Sequence, residues 1–319
     1  MCIRDRCGEA AGAFEVADAL EMALADQSVS AEVSRVGCLG LCFAEPLLDV
    51  QLPGGHRVFY GNVDAESVSE IVSVHVAGGT PIVSKALGYL AEETSLAPPP
   101  EGIPDLKQHS MKARENRIAL RNAGNIDPLD IYQYIANGGY QALYKSLTEL
   151  NREETLEEVK ASGLRGRGGA AFPTATKWSF LAGNAAADKY VLCNCEEGDP
   201  GAFNDKNILE SDPNTLVEGV IIAGYATGAN KGYIFIRHGH DGPIERCRAA
   251  INQARELGFL GENIMGSDFS YEIEIALTGD SYVAGEESAL MEAIEGKRSM
   301  PRFRPPFPAQ FGLFGKPTN

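Results

Sequence analysis

Cysteines and glycines at short spacings carry most of the chemistry this sequence can do. Cys38 and Cys42 put two thiols on one tight loop, with Gly37 and Gly40 letting the backbone turn around a bulky ligand. Cys7 adds a third thiol before the first helix, and Cys2 stands five residues earlier in a C-x4-C spacing. Thiolates so placed favour an iron–sulfur cluster or zinc, and C-x4-C suits a [2Fe–2S] site. The competing account is small apolar packing residues with no cluster, since a full ligand set rests on Cys2. The cysteines number seven, an odd count in a long chain, which argues against a disulfide framework. Cys193 and Cys247 read as core or lining residues.

The densest glycine run is 163–174, GLRGRGGAAFPT. Gly166, Gly168 and Ala171 satisfy G-x-G-x-x-G/A, but a helix-like stretch precedes them where a dinucleotide fingerprint requires a strand. A phosphate or flavin cradle fits better. Glycine amides can converge on an anion, Arg165 and Arg167 supply charge, and a helix start follows. A second stretch, Asn194-Cys195-Glu196-Glu197-Gly198-Asp199, leaves a buried strand, and its carboxylates can accept from ribose or ribityl hydroxyls. An ordinary acidic turn explains it equally. In Tyr282-Val283-Ala284-Gly285-Glu286-Glu287 the acids either favour a helix dipole or aim at a ligand. The segment 298–307, RSMPRFRPPF, adds cations and aromatics as a stacking wall or a wrapped surface strand. No nucleophile–base pair and no histidine metal motif stands out, which fits chemistry carried by a cofactor.

The elements that must position these groups alternate. Residues 8–26 form an apolar helical stripe, 29–36 a β-like run, and 47–52 with 57–60 a hairpin about Pro53-Gly54-Gly55. A helix over 65–77 follows. The order resembles a thioredoxin-like fold without its opening strand, and Met1-Cys2-Ile3-Arg4-Asp5-Arg6 reads as a scar where the true start is lost. Four prolines in 91–110 mark a linker or strap, and a basic segment, 107–121, comes next. Helices are expected at 128–135, 140–147 and 155–161. Beyond the glycine run, helix 172–181 (Pro173 in its first turn), strand 190–193, helix 216–227, strand 232–237, helix 243–257, strand 271–277 and helix 286–295 make an α/β layer fold. The expected division is 1–82, a strap at 83–127, and 128–319.

Composition narrows the partners. The chain has 319 residues, 44 acidic against 28 basic, for a net charge of −16, which disfavours nucleic acid. The longest apolar run, 220–226, is too short to span a bilayer, and no cationic start with an apolar stretch indicates secretion.

GLRGRGGAAFPTATKWSF, CNCEEGDPGAF, YVAGEESALMEAIEGKR and PRFRPPFPAQFGLFGKPT, in this order, resemble the NADH-oxidising flavoprotein subunit of respiratory NADH dehydrogenase (complex I). They resemble equally the homologous subunits of NAD-linked hydrogenases and formate dehydrogenases. Residues 7–80, with GCLGLCFAEP, resemble the thioredoxin-like [2Fe–2S] domain fused ahead of many members. The resemblance implies an α/β protein: a thioredoxin-like domain, then a Rossmann-like domain binding FMN and NADH. It matches Gly166, Arg167, Gly168, Gly169 and Lys177 to the flavin cradle, Asn194, Glu196 and Glu197 to a second flavin loop, and Tyr282, Gly285, Glu286 and Glu287 to a third. The NADH side would be Phe172, Phe180, Asp199, Glu287, Arg304 and Phe307, with Cys2, Cys7, Cys38 and Cys42 as cluster ligands.

Two positions depart from the family pattern. Glu196 stands where Asp is usual, and Asp199 stands where the complex I form often has Glu, which leans toward the hydrogenase or formate dehydrogenase branch. The family continues past GKPT into a ubiquitin-like domain and a helical [4Fe–4S] domain, so the chain is expected to be truncated at both ends. The implied partners are a thioredoxin-like ferredoxin subunit and other iron–sulfur subunits, in the cytoplasm or peripheral on the inner membrane face through them. Rival readings are a non-catalytic electron-carrier or assembly module and a simple nucleotide-binding protein.

Overall fold

In a computed structural model, residues 6–92, 95–279 and 281–319 are described. They form two compact units, Met1–Pro128 and Leu129–Asn319. The N-terminal unit opens with α1 (Arg6–Ala10) and α2 (Ala13–Asp26). Gly12, at φ 94°, breaks the single helix expected over 8–26, because a left-handed residue cannot continue a right-handed helix. Ala13, Val16, Ala17, Leu20 and Leu24 still line one buried face. Strands β1 (Leu48–Gln51) and β2 (Arg57–Tyr60) pair antiparallel around the expected turn. Helix α3 (Ala65–Glu70) is capped by Asp64, whose carboxylate accepts from Ser67 N–H, and runs on as a π-helical stretch, Ile71–Ala77.

Strand β3 (Ala86–Leu90) completes a three-stranded antiparallel sheet, β1-β2-β3. The expected run at 29–36 is no strand; only Val36 makes a bridge, and most of the run is exposed or half-buried, so it lacks the burial that would reward pairing. Prolines hold 96–104 out of regular structure.

The C-terminal unit begins with α4 (Ile131–Ala136), α5 (Gln141–Thr148), α6 (Arg152–Ala161) and α7 (Thr174–Ala182). Pro173, expected inside the first turn of α7, is its N-cap residue instead, at ψ 121°. Strand β4 (Tyr190–Cys195) leads through α8 (Asn204–Ser211) and α9 (Pro213–Thr227) to β5 (Lys231–Arg237). Helix α10 (Asp241–Glu256), β6 (Glu272–Thr278) and α11 (Glu287–Ile294) follow. The three strands form a parallel sheet in the order β4-β5-β6. Central β5 has Ile234, Phe235 and Ile236 fully buried, as a parallel strand covered on both faces requires. All three strands therefore deliver their C-terminal ends, Cys195, Arg237 and Thr278, to one edge, where α/β sheets place ligands. Among the described residues no helix is long and apolar enough to cross a membrane.

Candidate functional site

Loops gather at that edge. The glycine run between α6 and α7 is an exposed hairpin-like bend: Gly166 N–H donates to the Phe172 carbonyl (2.9 Å) and Thr174 N–H to the Leu164 carbonyl (3.0 Å). Arg165 tightens it by donating to the Ala171 carbonyl at 2.9 Å. Gly163 and Gly169 are left-handed, at φ 67° and 95°. At Gly168 and Gly169 an added Cβ meets nothing within 4 Å. The left-handed backbone favours glycine at 169, whereas no packing in the chain itself demands it at 168.

Lys177, one turn into α7, reaches across to Glu287 at 3.4 Å. Glu286 caps α11, accepting from Ser288 and Ala289 N–H at 2.9 Å each. Burial would raise its carboxyl, but these bonds and Arg304 outweigh that and hold it below the usual range. Arg304 pairs with both Glu286 and Glu287, bringing the Pro/Phe-rich segment 298–307, a C-terminal strap, onto the third loop.

The loop after β4 joins the same cluster. Asn194 Nδ2–H donates to the Gly285 carbonyl at 2.7 Å, and Tyr282 Oη–H to Asp199 at 2.5 Å. That bond raises the Tyr282 phenol above its ordinary value. Phe172 and Phe180 stand with ring centroids 6.4 Å apart and planes 46° apart, both exposed. Phe307 is exposed too. The structure thus ties the predicted residues of the second loop to the third, and the third to α7 and the strap.

Glu197 is turned inward. Its buried carboxylate accepts from the N–H groups of Asn204, Asp205 and Lys206, and so caps α8. Sequence reasoning missed two charged neighbours. Arg237, at the end of β5, donates to Glu196 at 2.7 Å. The Asp205 carboxyl is pushed up to about 6 by burial and by the charges of Glu197 and Glu196. A lone arginine or aspartate carries no motif, and only the position of Arg237 at the end of a central parallel strand could have marked it.

A separate open cavity of about 590 Å³ lies among Glu292, Glu295, Lys297, Arg302, Phe311 and Phe314. Arg302 and Lys297 are already paired with Glu292 and Glu295 there, so its charges satisfy one another.

In the N-terminal unit Cys38 and Cys42 hold their Sγ atoms 3.6 Å apart. Cys7 is exposed on α1, and Cys2 lies outside the described residues. Among the described residues no three His, Cys, Asp or Glu side chains are arranged to hold a metal ion.

Residues 159–316 match the family described as the Nuo51 FMN-binding domain. This segment belongs to that family. The match takes in the glycine bend, the loops after β4 and β6, and the segment around Arg304. The NADP-reducing hydrogenase protein HndC of Solidesulfovibrio fructosivorans is 50% identical over 205 residues, 64% of this chain and 41% of that protein. An NADH-quinone oxidoreductase component of Aquifex aeolicus is 50% identical over 188 residues, 59% of this chain and 44% of the relative. A crystal structure of an NAD+-reducing [NiFe]-hydrogenase in the H2-reduced state aligns at TM-score 0.51 and 26% identity, covering 99% of this chain and 49% of that one. The chain spans less than half the length of these relatives. The matched segment has open space beside the glycines at 168 and 169.

Proposed function

We propose that the C-terminal unit binds FMN at the sheet edge, takes hydride from NADH, and serves as the NADH-oxidising module of an NAD-linked hydrogenase or a related dehydrogenase. The observation that carries this is the Lys177–Glu287 pair at 3.4 Å, which ties the helix that follows the open glycine bend to an acidic strand-end loop. FMN, when bound, accepts two electrons together as hydride and releases them singly, the conversion that iron–sulfur partners need. The amides of Gly168 and Gly169 with Arg167 receive the phosphate, while Gly166, whose N–H closes the bend on the Phe172 carbonyl, shapes it. Lys177 lends positive charge where the reduced ring becomes negative. Asn194 and Glu196 fix the second loop, while the spare lone pairs of Glu286 and Glu287 accept hydrogen bonds from ligand hydroxyls beside Arg304 and Lys177.

On the dinucleotide side, the separation of Phe172 and Phe180 is close to the roughly 7 Å that two ring-to-plane contacts of about 3.5 Å require. Rotation of the rings toward parallel would let them grip the adenine, with Phe307 and Arg304 closing the strap side. Asp199 presents its carboxylate on the exposed loop, where a 2′-phosphate would meet like charge, so NADH is favoured over NADPH. The HndC name specifies NADP, which makes that preference worth measuring directly.

The hydrogenase-linked reading is favoured over the respiratory one by the NAD+-reducing hydrogenase chain, whose match extends over both units of this protein. In this reading the N-terminal unit is the thioredoxin-like domain, with Cys7, Cys38 and Cys42 (and Cys2) offered to a [2Fe–2S] cluster, and the C-terminal unit is Rossmann-like. Electrons leave for iron–sulfur subunits. The site is a cytoplasmic one, reached by NADH and not by nucleic acid. Titration of FMN with the purified chain tests the reading: quenching of flavin fluorescence to a one-to-one endpoint is expected, and unaltered fluorescence overturns it.

A further inference from the structure

Glu196 is a carboxylate with only 3% of its side chain exposed, at a strand end crowded with other acids. A buried carboxylate without a partner is costly, and its partner here comes from a different strand. Arg237 Nη1 donates to Glu196 Oε1 at 2.7 Å, linking the end of central β5 to the loop after β4. The other oxygen faces the third loop: a Cβ added at Gly285 would stand 3.2 Å from Glu196 Oε2. A Cβ at Gly198 would stand 2.9 Å from Arg237 Nη1 and 3.1 Å from Glu196 Oε1. This ion pair therefore fills the space beside Gly198 and Gly285, in contrast to Gly168 and Gly169, which face open ground. Asn194 closes the seam through its 2.7 Å bond to the Gly285 carbonyl.

We propose that Arg237 is a positioning residue: by holding Glu196 between Gly198 and Gly285 it fastens the loops after β4 and β6 into one wall of the flavin site. This rests on the functional reading above. Arg237 acts through Glu196, not on the cofactor. Its loss leaves a buried charge that pulls toward water and drags 196–199 away from Gly285.

The test compares wild type, Arg237→Gln, Arg237→Lys and Glu196→Gln/Arg237→Gln in the full chain, by hydrogen exchange of the flavin-free protein and by FMN titration. Arg237→Gln is expected to speed exchange at 196–203 and 281–287 and to weaken FMN binding about tenfold or more. The double variant, which removes the stranded charge, is expected to recover most of both. Wild-type exchange and affinity in Arg237→Gln overturn the proposal, as does a double variant no better than the single one. Should Arg237→Gln not fold, Arg237→Lys decides. It keeps the charge but not the planar fork, so partial loss of protection is expected, and unchanged protection overturns the proposal. If the wild type binds no FMN the functional reading fails, while the exchange arm still tests the seam without flavin.

Discussion

Gly168 and Gly198 both lie in glycine-rich motifs, yet they face opposite surroundings. Beside Gly168 there is nothing for a side chain to touch, while beside Gly198 there is an ion pair. Gly168→Leu is therefore expected to leave the unfolding midpoint within about 0.5 kcal/mol of wild type, as an exposed loop change does, while weakening FMN binding at least tenfold. Equal affinity in fluorescence titration would show that the bend is not the cradle. Asp205 offers a second test at this scale. Its folded carboxyl, pushed up to about 6, titrates above its unfolded value. The folded state thus binds more protons between about pH 4 and 6, and stability falls as pH rises through that window. Asp205→Asn is expected to gain on the order of 1–2 kcal/mol at pH 8 and nothing at pH 3, read by urea unfolding at both.

Helix α8 shows how an element can take up a residue that the sequence assigns elsewhere. Glu197 stands in an acidic loop that resembles a flavin site, but three backbone N–H groups at the start of α8 claim its carboxylate. Glu197→Ala is expected to cost about 2 kcal/mol of stability, measured by urea unfolding, because a buried charged cap is lost. A change under about 0.5 kcal/mol would contradict the capping role. Elements with strong period were legible: the buried runs of β4 and β5, the alternation of β6, and the apolar face of α9. Strand β3 was not, since Ala86-Leu87-Gly88-Tyr89-Leu90 is short and carries a glycine, against which Leu106 packs. The run at 29–36 has β-like residues, but only its ends pack on the core and only Val36 bridges, so composition misled. The loops of the site were legible as motifs because glycine and carboxylate spacing survives in sequence. Arg237 was not, because its role arises only when parallel pairing brings three strand ends together.

At the scale of the whole molecule, two units have separate cores, one with Cys38 and Cys42 close together and the other with acidic loops at one edge of its parallel sheet. Composition disfavours nucleic acid and spacing names the groups, but the contrast between an open glycine bend and a self-filled ion-pair seam arises only in the folded chain. That the sheet edge of the C-terminal unit brings a nicotinamide against a flavin is tested most directly by anaerobic titration of the FMN-loaded chain with NADH, followed by flavin absorbance. Bleaching complete at one equivalent of NADH, with NADPH much slower, is the expected result; flavin that binds and stays oxidised in excess NADH would contradict it.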